Sequence, residues 1–182
     1  MAGPIVRPAE QRDADGIGRV WVDAWRVGYR GLVPDAVLDS ISLDHRQQQW
    51  RARLGGGDPG ARTSVSVIGG EVVGYCRLAL PSRDADAGAG ATTAEVASIY
   101  VTTARRRTGI GHALLSTALD AMRADGWRRA TLWVFVDNEA ARRFYSRYGF
   151  AADGGREHDH GTGLDELRLR LALTGSPPRS PV

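Results

Sequence analysis

The sequence predicts a single-domain α/β fold in which a mixed, mostly antiparallel sheet carries helices on both faces. Two alternating apolar segments, residues 63–68 and 71–80, flank Gly69-Gly70, which is the composition of a tight hairpin turn between antiparallel strands. Residues 96–101 and 130–136 are apolar strands separated by a helical segment, and such a crossover pairs strands in parallel. At 182 residues the chain is long enough for one substantial core.

The other elements follow from apolar periodicity and from turn residues. Further strands are predicted at residues 5–7, 151–158 and 166–173. Helices are predicted from Asp13 or Asp15 to Val27, from Ser42 or Asp44 to Leu54, after the glycine turn at 109–111 as far as Gly126, and over residues 139–148. Residues 81–93 are rich in Asp, Ala and Gly and predict a mobile loop. One domain is therefore expected over residues 1–173, followed by a flexible tail at 174–182.

The composition argues against several classes of function. The chain has 24 basic residues, all of them arginine, against 21 acidic residues, for a formal net charge of +3. So small an excess does not indicate a nucleic-acid partner, and the lack of lysine excludes Schiff-base and P-loop lysine chemistry. No apolar run approaches the ~20 residues that cross a bilayer, so no membrane partner is expected. The single cysteine, Cys76, permits no intrachain disulfide, which favours a cytoplasmic location.

Residues 95–115 have the organisation of an anion-binding site. An apolar strand leads into a turn that contains Gly109 and Gly111, and an amphipathic helix follows. Glycine lets the main chain approach a ligand, and the first N–H groups of a helix are unpaired donors that favour phosphate. Three consecutive arginines at 105–107 add positive charge at the same turn. The pattern matches neither a nucleotide P-loop nor the Gly-x-Gly-x-x-Gly of dinucleotide sites.

Two motifs, in this order, resemble the signatures of the GCN5-related N-acetyltransferase (GNAT) family. Residues 106–111 (Arg-Arg-Thr-Gly-Ile-Gly) are similar to the family's Arg/Gln-x-x-Gly-x-Gly/Ala motif. Residues 138–150 (Asn-x-x-Ala-x-x-x-Tyr-x-x-x-Gly-Phe) are similar to its second signature. The resemblance spans about residues 5–173. It implies a bacterial, cytoplasmic acyltransferase whose central parallel strand pair is splayed to hold acyl-CoA, and it is compatible with a homodimer.

The resemblance also implies that acetyl-CoA is the co-substrate. Main-chain groups of Ile99 and Val101 would then hydrogen-bond the pantetheine arm, much as an added strand would. The residues that the resemblance assigns to the cofactor are Ile99, Tyr100, Val101, Arg106, Arg107, Thr108, Gly109, Ile110, Gly111, His112, Asn138 and Tyr145. Strand alternation directs the side chain of Tyr100 away from those of Ile99 and Val101. The alternative for Tyr100 is therefore a position that borders the acceptor site.

Transfer of acetyl to an amine requires a base for the amine and an acid for the leaving thiolate. By resemblance Tyr145 protonates the thiolate; the alternative is a packing role beside Phe144. Glu95, at the start of the central strand, is the candidate base, and the alternative is a solvated carboxylate at a strand end. Trp25 and Tyr29, four residues apart on a helix, are expected with Glu95 to contact the acceptor, although such aromatics also serve as core residues.

The expected function is direct transfer of acetyl, in a ternary complex, to a primary amine of a small molecule or peptide. Two alternatives stay open: a non-catalytic acyl-CoA sensor or interaction module, and a toxin-like acetyltransferase that acts on charged tRNA. His158 and His160 fall on one face of a predicted strand, but no third and fourth ligands accompany them in the sequence, so no metal site is predicted.

Overall fold

The computed structural model describes residues 5–58, 60–83 and 92–173. Seven strands form one sheet: β1 Ile5–Pro8, β2 Ala61–Ile68, β3 Glu71–Ala79, β4 Thr93–Val101, β5 Arg129–Phe135, β6 Ala151–Asp159 and β7 Leu164–Ala172. The α-helices are α1 Ala14–Gly28, α2 Asp35–Asp39, α3 Leu43–Ala52, α4 Ile110–Ala124 and α5 Glu139–Ser146. The sheet order is β1-β2-β3-β4-β5-β7-β6, and the β4–β5 pair alone is parallel. The predicted mixed sheet with one central parallel pair is confirmed.

The hairpin turn and the start of α3 are both found where the sequence predicts them. Gly69 and Gly70 have φ angles of 59° and 84°, the left-handed conformation that a two-residue hairpin turn requires. The Ser42 hydroxyl accepts a hydrogen bond from the N–H of His45 at 3.2 Å and caps α3. These elements form where the sequence predicts them because the deciding contacts join residues that are close in the chain.

Several predicted boundaries were wrong by a few residues. β4 begins at Thr93 rather than at residue 96, because residues 93–95 gain a pairing partner in residues 129–131. Residues 35–39 form the helix α2, which was not among the predicted helices. β7 runs from 164 to 172 rather than from 166 to 173, and α5 ends at Ser146 rather than at residue 148. Most of the loop expected at 81–93, and the tail expected at 174–182, lie outside the described residues.

Helices cover both faces of the sheet, as predicted. On one face α4 and α5 pack on the largest apolar cluster, which includes Leu114, Met122, Leu132 and Phe150. On the other face α1 and α3 enclose a second cluster, which includes Ile17, Trp50 and Tyr75. Tyr75 and Cys76 are adjacent in β3 yet belong to different clusters, as residues on opposite faces of a strand must. Within the described residues, no helix is both long and apolar enough to span a membrane.

A buried ion pair fixes the irregular outer strand β6. Its register against β7 shifts between Ala152 and Arg156. Inside this irregularity the carboxylate of Asp153 accepts from Nε of Arg168 at 3.1 Å through both oxygens, and the two side chains are 4% and 7% exposed. Asp153 also accepts from the N–H of Gly155 at 3.1 Å. The pair therefore joins the bulged segment of β6 to the face of β7 on which Arg168 lies.

We expect Asp153→Ala to lower the free energy of unfolding by about 3–5 kcal/mol, because it leaves the Arg168 guanidinium buried without its carboxylate. The measurement is urea-induced unfolding followed by circular dichroism. The matched control is Glu139→Ala, which removes an ion pair with Arg143 whose side chains are 73% and 67% exposed and which should cost less than about 1 kcal/mol. Equal losses in the two variants would contradict a structural role for the buried pair.

Candidate active site

The central parallel strands separate after a short contact. Residues 93–95 of β4 pair with residues 129–131 of β5. Beyond this contact β5 stays paired with β7 as far as Phe135, and β4 stays paired with β3 as far as Val101. Each strand is thus held by its other neighbour, and the sheet opens between them.

A bulge in β4 lies at the point of separation. Arg77 of β3 is opposite Ser98, whereas Leu78 is opposite Val96, so Ala97 is an extra residue in β4. A bulge bends a strand and increases its local twist. The bulge therefore accounts for the change in the course of β4 directly after Glu95, the last residue that pairs with β5.

The opening forms a cavity of about 150 Å³ that reaches both faces of the sheet. Val134 and Tyr145 line it from the α4–α5 face, and Phe135 and Tyr29 line it from the α1 face. The sequence-predicted site residues in its lining are Trp25, Tyr29, Glu95, Ile99, Tyr100, Asn138 and Tyr145. The structure thus brings together both candidate catalytic residues and both candidate aromatic acceptor residues.

The glycine turn places the first turn of α4 beside β4 and α5. Gly109 is the N-cap residue with a φ angle of 86°, and the first intrahelical bond joins the N–H of Ala113 to its carbonyl. The N–H groups of residues 110–112 therefore precede the helical hydrogen-bond pattern. A methyl group built on Gly111 would lie 3.7 Å from Cζ of Phe144 and 3.8 Å from Cγ2 of Val101.

The three arginines before this turn are exposed, and the turn itself is attached to α1. The carboxylate of Asp23 accepts from the N–H of Thr103 at 2.6 Å and from its hydroxyl at 3.0 Å. The guanidinium of Arg106 covers Gly28 so closely that an added Cβ would lie 1.8 Å from its Nη2. The loop with the predicted phosphate-binding residues is therefore supported by the C-terminal half of α1.

Asn138 and Tyr145 hold the places expected from the second motif. The side-chain oxygen of Asn138 accepts from the N–H of Ala141 at 3.1 Å and caps α5. Tyr145 is 9% exposed, packs edge-on against Phe144 and Phe150, and lines the cavity. Burial raises the pKa of the Tyr145 phenol, so its hydroxyl stays protonated at neutral pH.

Aromatic side chains form the α1 wall of the cavity. The rings of Trp21, Trp25 and Tyr29 stack in succession, with centroids 4.8 and 4.9 Å apart. Phe135 meets Trp25 and Tyr29 edge-on from β5. Nε1 of Trp25 donates to the hydroxyl of Tyr100 at 3.1 Å, so the side chain of Tyr100 belongs to this wall.

Glu95 is buried, and the expectation that it stands at the start of the strand was wrong. Its side chain is 3% exposed because it is the third residue of β4, at the closed end of the opening. One carboxylate oxygen lies 3.2 Å from Nε of Arg83, and the other accepts from the N–H of Arg83 at 3.3 Å and from the Ser82 hydroxyl at 3.4 Å. The solvated-carboxylate alternative is therefore wrong as well.

Glu166 is a cavity residue that sequence reasoning missed. It lies opposite Phe135 in the β5–β7 register, so the two side chains share one face of the sheet. Burial raises the pKa of the Glu166 carboxyl to about 7, and the nearby carboxylates of Asp159, Glu157 and Glu95 act in the same direction. The only sequence signal was an acidic residue in a predicted buried strand, and its neighbours come from distant parts of the chain.

The candidate residues His112, His158, His160 and Cys76 do not line the cavity. His112 is exposed at the start of α4 and contacts the hydroxyl of Tyr148. His158 pairs with Asp165 at 2.7 Å, and its ring lies 5.1 Å from that of His160. Cys76 is buried, which raises the pKa of its thiol to about 12. A thiol in this state is a poor nucleophile.

A larger hollow of about 400 Å³ lies between α5 and the strands β6 and β7. Its lining includes Arg142, Arg143, Ser146 and Phe150. Of these residues, Phe150 packs its ring on Tyr145, and Arg142 donates to the carbonyl of Val136 directly after β5 at 2.9 Å. None of the candidate catalytic or cofactor-binding residues lines it, so the smaller cavity is the better candidate for the active site.

Comparison with known proteins agrees with this geometry. The pattern of the Acetyltransferase (GNAT) family matches residues 20–150. The chain is 29% identical over 143 residues to Uncharacterized N-acetyltransferase YuaI of Bacillus subtilis (strain 168), which covers 79% of this chain and 78% of that protein. It is 27% identical over 163 residues to L-amino acid N-acetyltransferase AaaT of Escherichia coli (strain K12), which covers 85% and 86%.

Solved structures share the fold. The PaiA N-acetyltransferase from Thermoplasma acidophilum, in complex with coenzyme A, superposes with a TM-score of 0.71 at 17% identity, over 94% of this chain and 99% of that one. The yncA structure from Salmonella typhimurium, with its cofactor acetyl-CoA, gives 0.69 at 23% identity, over 98% and 99%. Because the family pattern matches most of the chain, including both motifs and the splayed strands, this protein belongs to the GNAT family of acetyltransferases.

Proposed function

We propose that this acetyltransferase moves an acetyl group from acetyl-CoA directly to a primary amine of a small molecule or peptide, in a ternary complex. The observation that carries the proposal is the opening between β4 and β5, which reaches both faces of the sheet. A cofactor held on the α4–α5 face and an acceptor held on the α1 face would meet there. Burial of Cys76 and the raised pKa of its thiol argue against a covalent acyl-enzyme.

The residues of the α4–α5 face fit coenzyme A. Along Ile99, Tyr100 and Val101 the side of β4 that turns away from β3 has no strand pairing to β5, which suits hydrogen bonds to a pantetheine arm. The first turn of α4, from Gly109 to His112, offers N–H donors to a pyrophosphate, with Arg106, Arg107 and Thr108 beside it. Asn138 would contact the cofactor from the start of α5. Acetyl-CoA, when bound, supplies the thioester carbonyl that the amine attacks.

Glu95 and Tyr145 suit the two proton-transfer roles. Glu95 lies at the closed end of the opening, where it would accept a proton from the acceptor amine, directly or through water. Tyr145 approaches from α5 and lines the cavity, where its hydroxyl would donate to the leaving thiolate. Trp25 and Tyr29 would hold the acceptor on the opposite side from the cofactor.

The acceptor screen tests this proposal. Purified protein is incubated with acetyl-CoA and a panel of amines, amino acids, peptides and aminoglycosides, and free CoA is measured with a thiol reagent. The name of the E. coli relative makes L-amino acids a second acceptor class within the panel. Acetyl-CoA binding without amine-dependent CoA release would favour a non-catalytic sensor, and salt-sensitive binding of charged tRNA would favour the toxin-like alternative.

We expect Tyr145→Phe to lower kcat by about 10²–10⁴-fold, because it removes the proposed proton donor while keeping the buried ring. Calorimetry should find the affinity for acetyl-CoA little changed. Tyr148→Phe is the matched control, since it deletes the hydroxyl of a half-buried tyrosine nearby that does not line the cavity, and its kcat should stay near that of the unmodified protein. Unchanged turnover in Tyr145→Phe would remove the general-acid assignment.

We expect Gly111→Trp to abolish binding of acetyl-CoA, whereas Gly111→Ala should bind it. A methyl group at this position meets Phe144 and Val101 at ordinary contact distances, but an indole would have to displace them. Calorimetric titration with acetyl-CoA measures the effect, and thermal unfolding establishes that both variants fold. Tight binding by a folded Gly111→Trp variant would place the cofactor elsewhere.

A further inference from the structure

The α1 side of the cavity contains a carboxylate on which the nearby charges are mainly negative, with the guanidinium of Arg83 acting in the opposite direction. Glu166 lines the cavity and is partly buried. Within residues 5–58, 60–83 and 92–173, no group forms a hydrogen bond or ion pair with it. A buried carboxylate without a partner is costly, so its site is suited to a cation that the protein itself does not provide.

The other carboxylates of the lining are already engaged. Glu95 is paired with Arg83 at 3.2 Å. Asp159 accepts from the N–H of Gly161 at 2.8 Å and from the Thr162 hydroxyl at 3.0 Å, as part of the turn between β6 and β7. Among the described residues that line the cavity, Glu166 is thus the carboxylate left for a ligand.

The charge balance of the lining disfavours an anionic ligand group. Among the described residues that line the cavity, the three carboxylates of Glu95, Asp159 and Glu166 outnumber the one guanidinium, that of Arg83, which pairs with Glu95. A carboxylate attached next to the reacting amine would enter a region in which negative charge predominates. Like-charge contact of this kind is a means of rejecting wrong partners.

The aromatic wall favours the cationic form of an amine and a compact apolar substituent. The rings of Trp25, Tyr29 and Phe135 line the cavity together with the carboxylates and present carbon surface, because the polar tip of Trp25 is turned to the Tyr100 hydroxyl. Aromatic faces attract ammonium ions and pack well against apolar groups. The cavity of about 150 Å³ is small beside the about 300–1,000 Å³ of pockets for drug-sized ligands.

We propose that the acceptor is a compact primary amine that enters as its ammonium ion, is bound by Glu166 against the wall of Trp25, Tyr29 and Phe135, and carries no carboxylate beside the amine. The inference rests on the proposed function and names its acceptor class. It separates this protein from an α-amino acid N-acetyltransferase, the activity in the name of the E. coli relative.

Paired acceptors that differ only in the carboxylate test this class. Phenethylamine is compared with phenylalanine, pentylamine with norleucine, and phenylalaninamide is added because it keeps the bulk of the carboxylate without its charge. We expect kcat/KM to be at least about tenfold higher for each carboxylate-free amine, a difference of about 1.4 kcal/mol. Phenylalaninamide should resemble phenethylamine rather than phenylalanine.

Glu166→Gln is expected to raise the KM for phenethylamine about tenfold or more and to leave the KM for acetyl-CoA unchanged. Glu157→Gln is the matched control, because Glu157 lies opposite Glu166 in the β6–β7 register but is exposed and outside the cavity lining. In the unmodified protein the KM for phenethylamine should rise as the pH falls through about 7, where Glu166 takes up a proton. The variant should lose that dependence, because glutamine does not titrate.

Several titratable and charged groups face the Glu166 carboxyl. The charged ones are Asp159, Glu157, Glu95 and Arg83, and the phenols of Tyr29 and Tyr100 face it from α1 and β4. A pH profile that persists in Glu166→Gln would therefore belong to another group and overturn the proposed role of Glu166.

Two measurements independent of turnover complete the test. The folded-state pKa of Glu166 is raised above its ordinary value of 4.5, so its contribution to stability is present at low pH and is lost as the pH rises through about 7. Glu166→Gln should consequently unfold at a higher temperature than the unmodified protein at pH 8, and at nearly the same temperature at pH 5. Calorimetry on the CoA-loaded protein should detect phenethylamine binding, and Glu166→Gln should weaken it.

The outcomes separate the inference from the proposed function. CoA release that is faster with phenylalanine and norleucine than with their carboxylate-free partners overturns the inference and leaves the acetyltransfer proposal intact. Phenethylamine binding that depends on Glu166 without any CoA release supports the ammonium site and overturns acetyltransfer to amines. Neither binding nor release with any of these amines overturns both.

Discussion

The short contact between β4 and β5 is the constraint on which the rest of the site depends. Three residue pairs hold the strands together, and then each strand follows its other neighbour. β5 is paired with β7 over its full length, so it cannot swing back to close the opening. The main chain on the two sides of the opening is thus held by antiparallel pairing, of β4 with β3 and of β5 with β7. The side chains that line the opening are attached to this rigid main chain. A site on rigid elements holds reacting groups more accurately than one built on loops.

Helix α1 connects the two sides of this opening. One part of its surface carries the stacked rings that form the aromatic wall of the cavity. Asp23, on the same helix, holds the main chain of Thr103 directly after β4, and Gly28 lies beneath the guanidinium of Arg106. The helix therefore sets the position of the aromatic wall relative to the glycine turn before α4. A Cβ at position 28 would meet Nη2 of Arg106 at 1.8 Å, so any larger residue there would displace this guanidinium.

Charge is distributed differently at the glycine turn and on the α1 side of the cavity. The glycine turn offers arginines and helix N–H groups to an anionic cofactor, whereas the α1 side combines carboxylates with aromatic rings. Because the chain has no lysine, the strongly basic side chains near either region are guanidinium groups, which stay charged at all relevant pH values. The titration that matters to the site is therefore carried by carboxyl and phenol groups, and burial decides the direction of each shift.

The family, the mixed sheet, the hairpin at Gly69-Gly70, the cap of α3 and the turn at Gly109 could all be predicted from the sequence. The hairpin, the cap and the glycine turn each depend on a few residues that are adjacent or one helical turn apart. Tertiary structure alone decided the extension of β4 to Thr93, the burial of Glu95 and the place of Glu166, because each depends on strands brought together from distant segments. The stretch from Glu95 to Leu115 was predicted as an anion-binding strand, turn and helix. Its first residue became a buried carboxylate only when residues 129–131 paired with the start of β4.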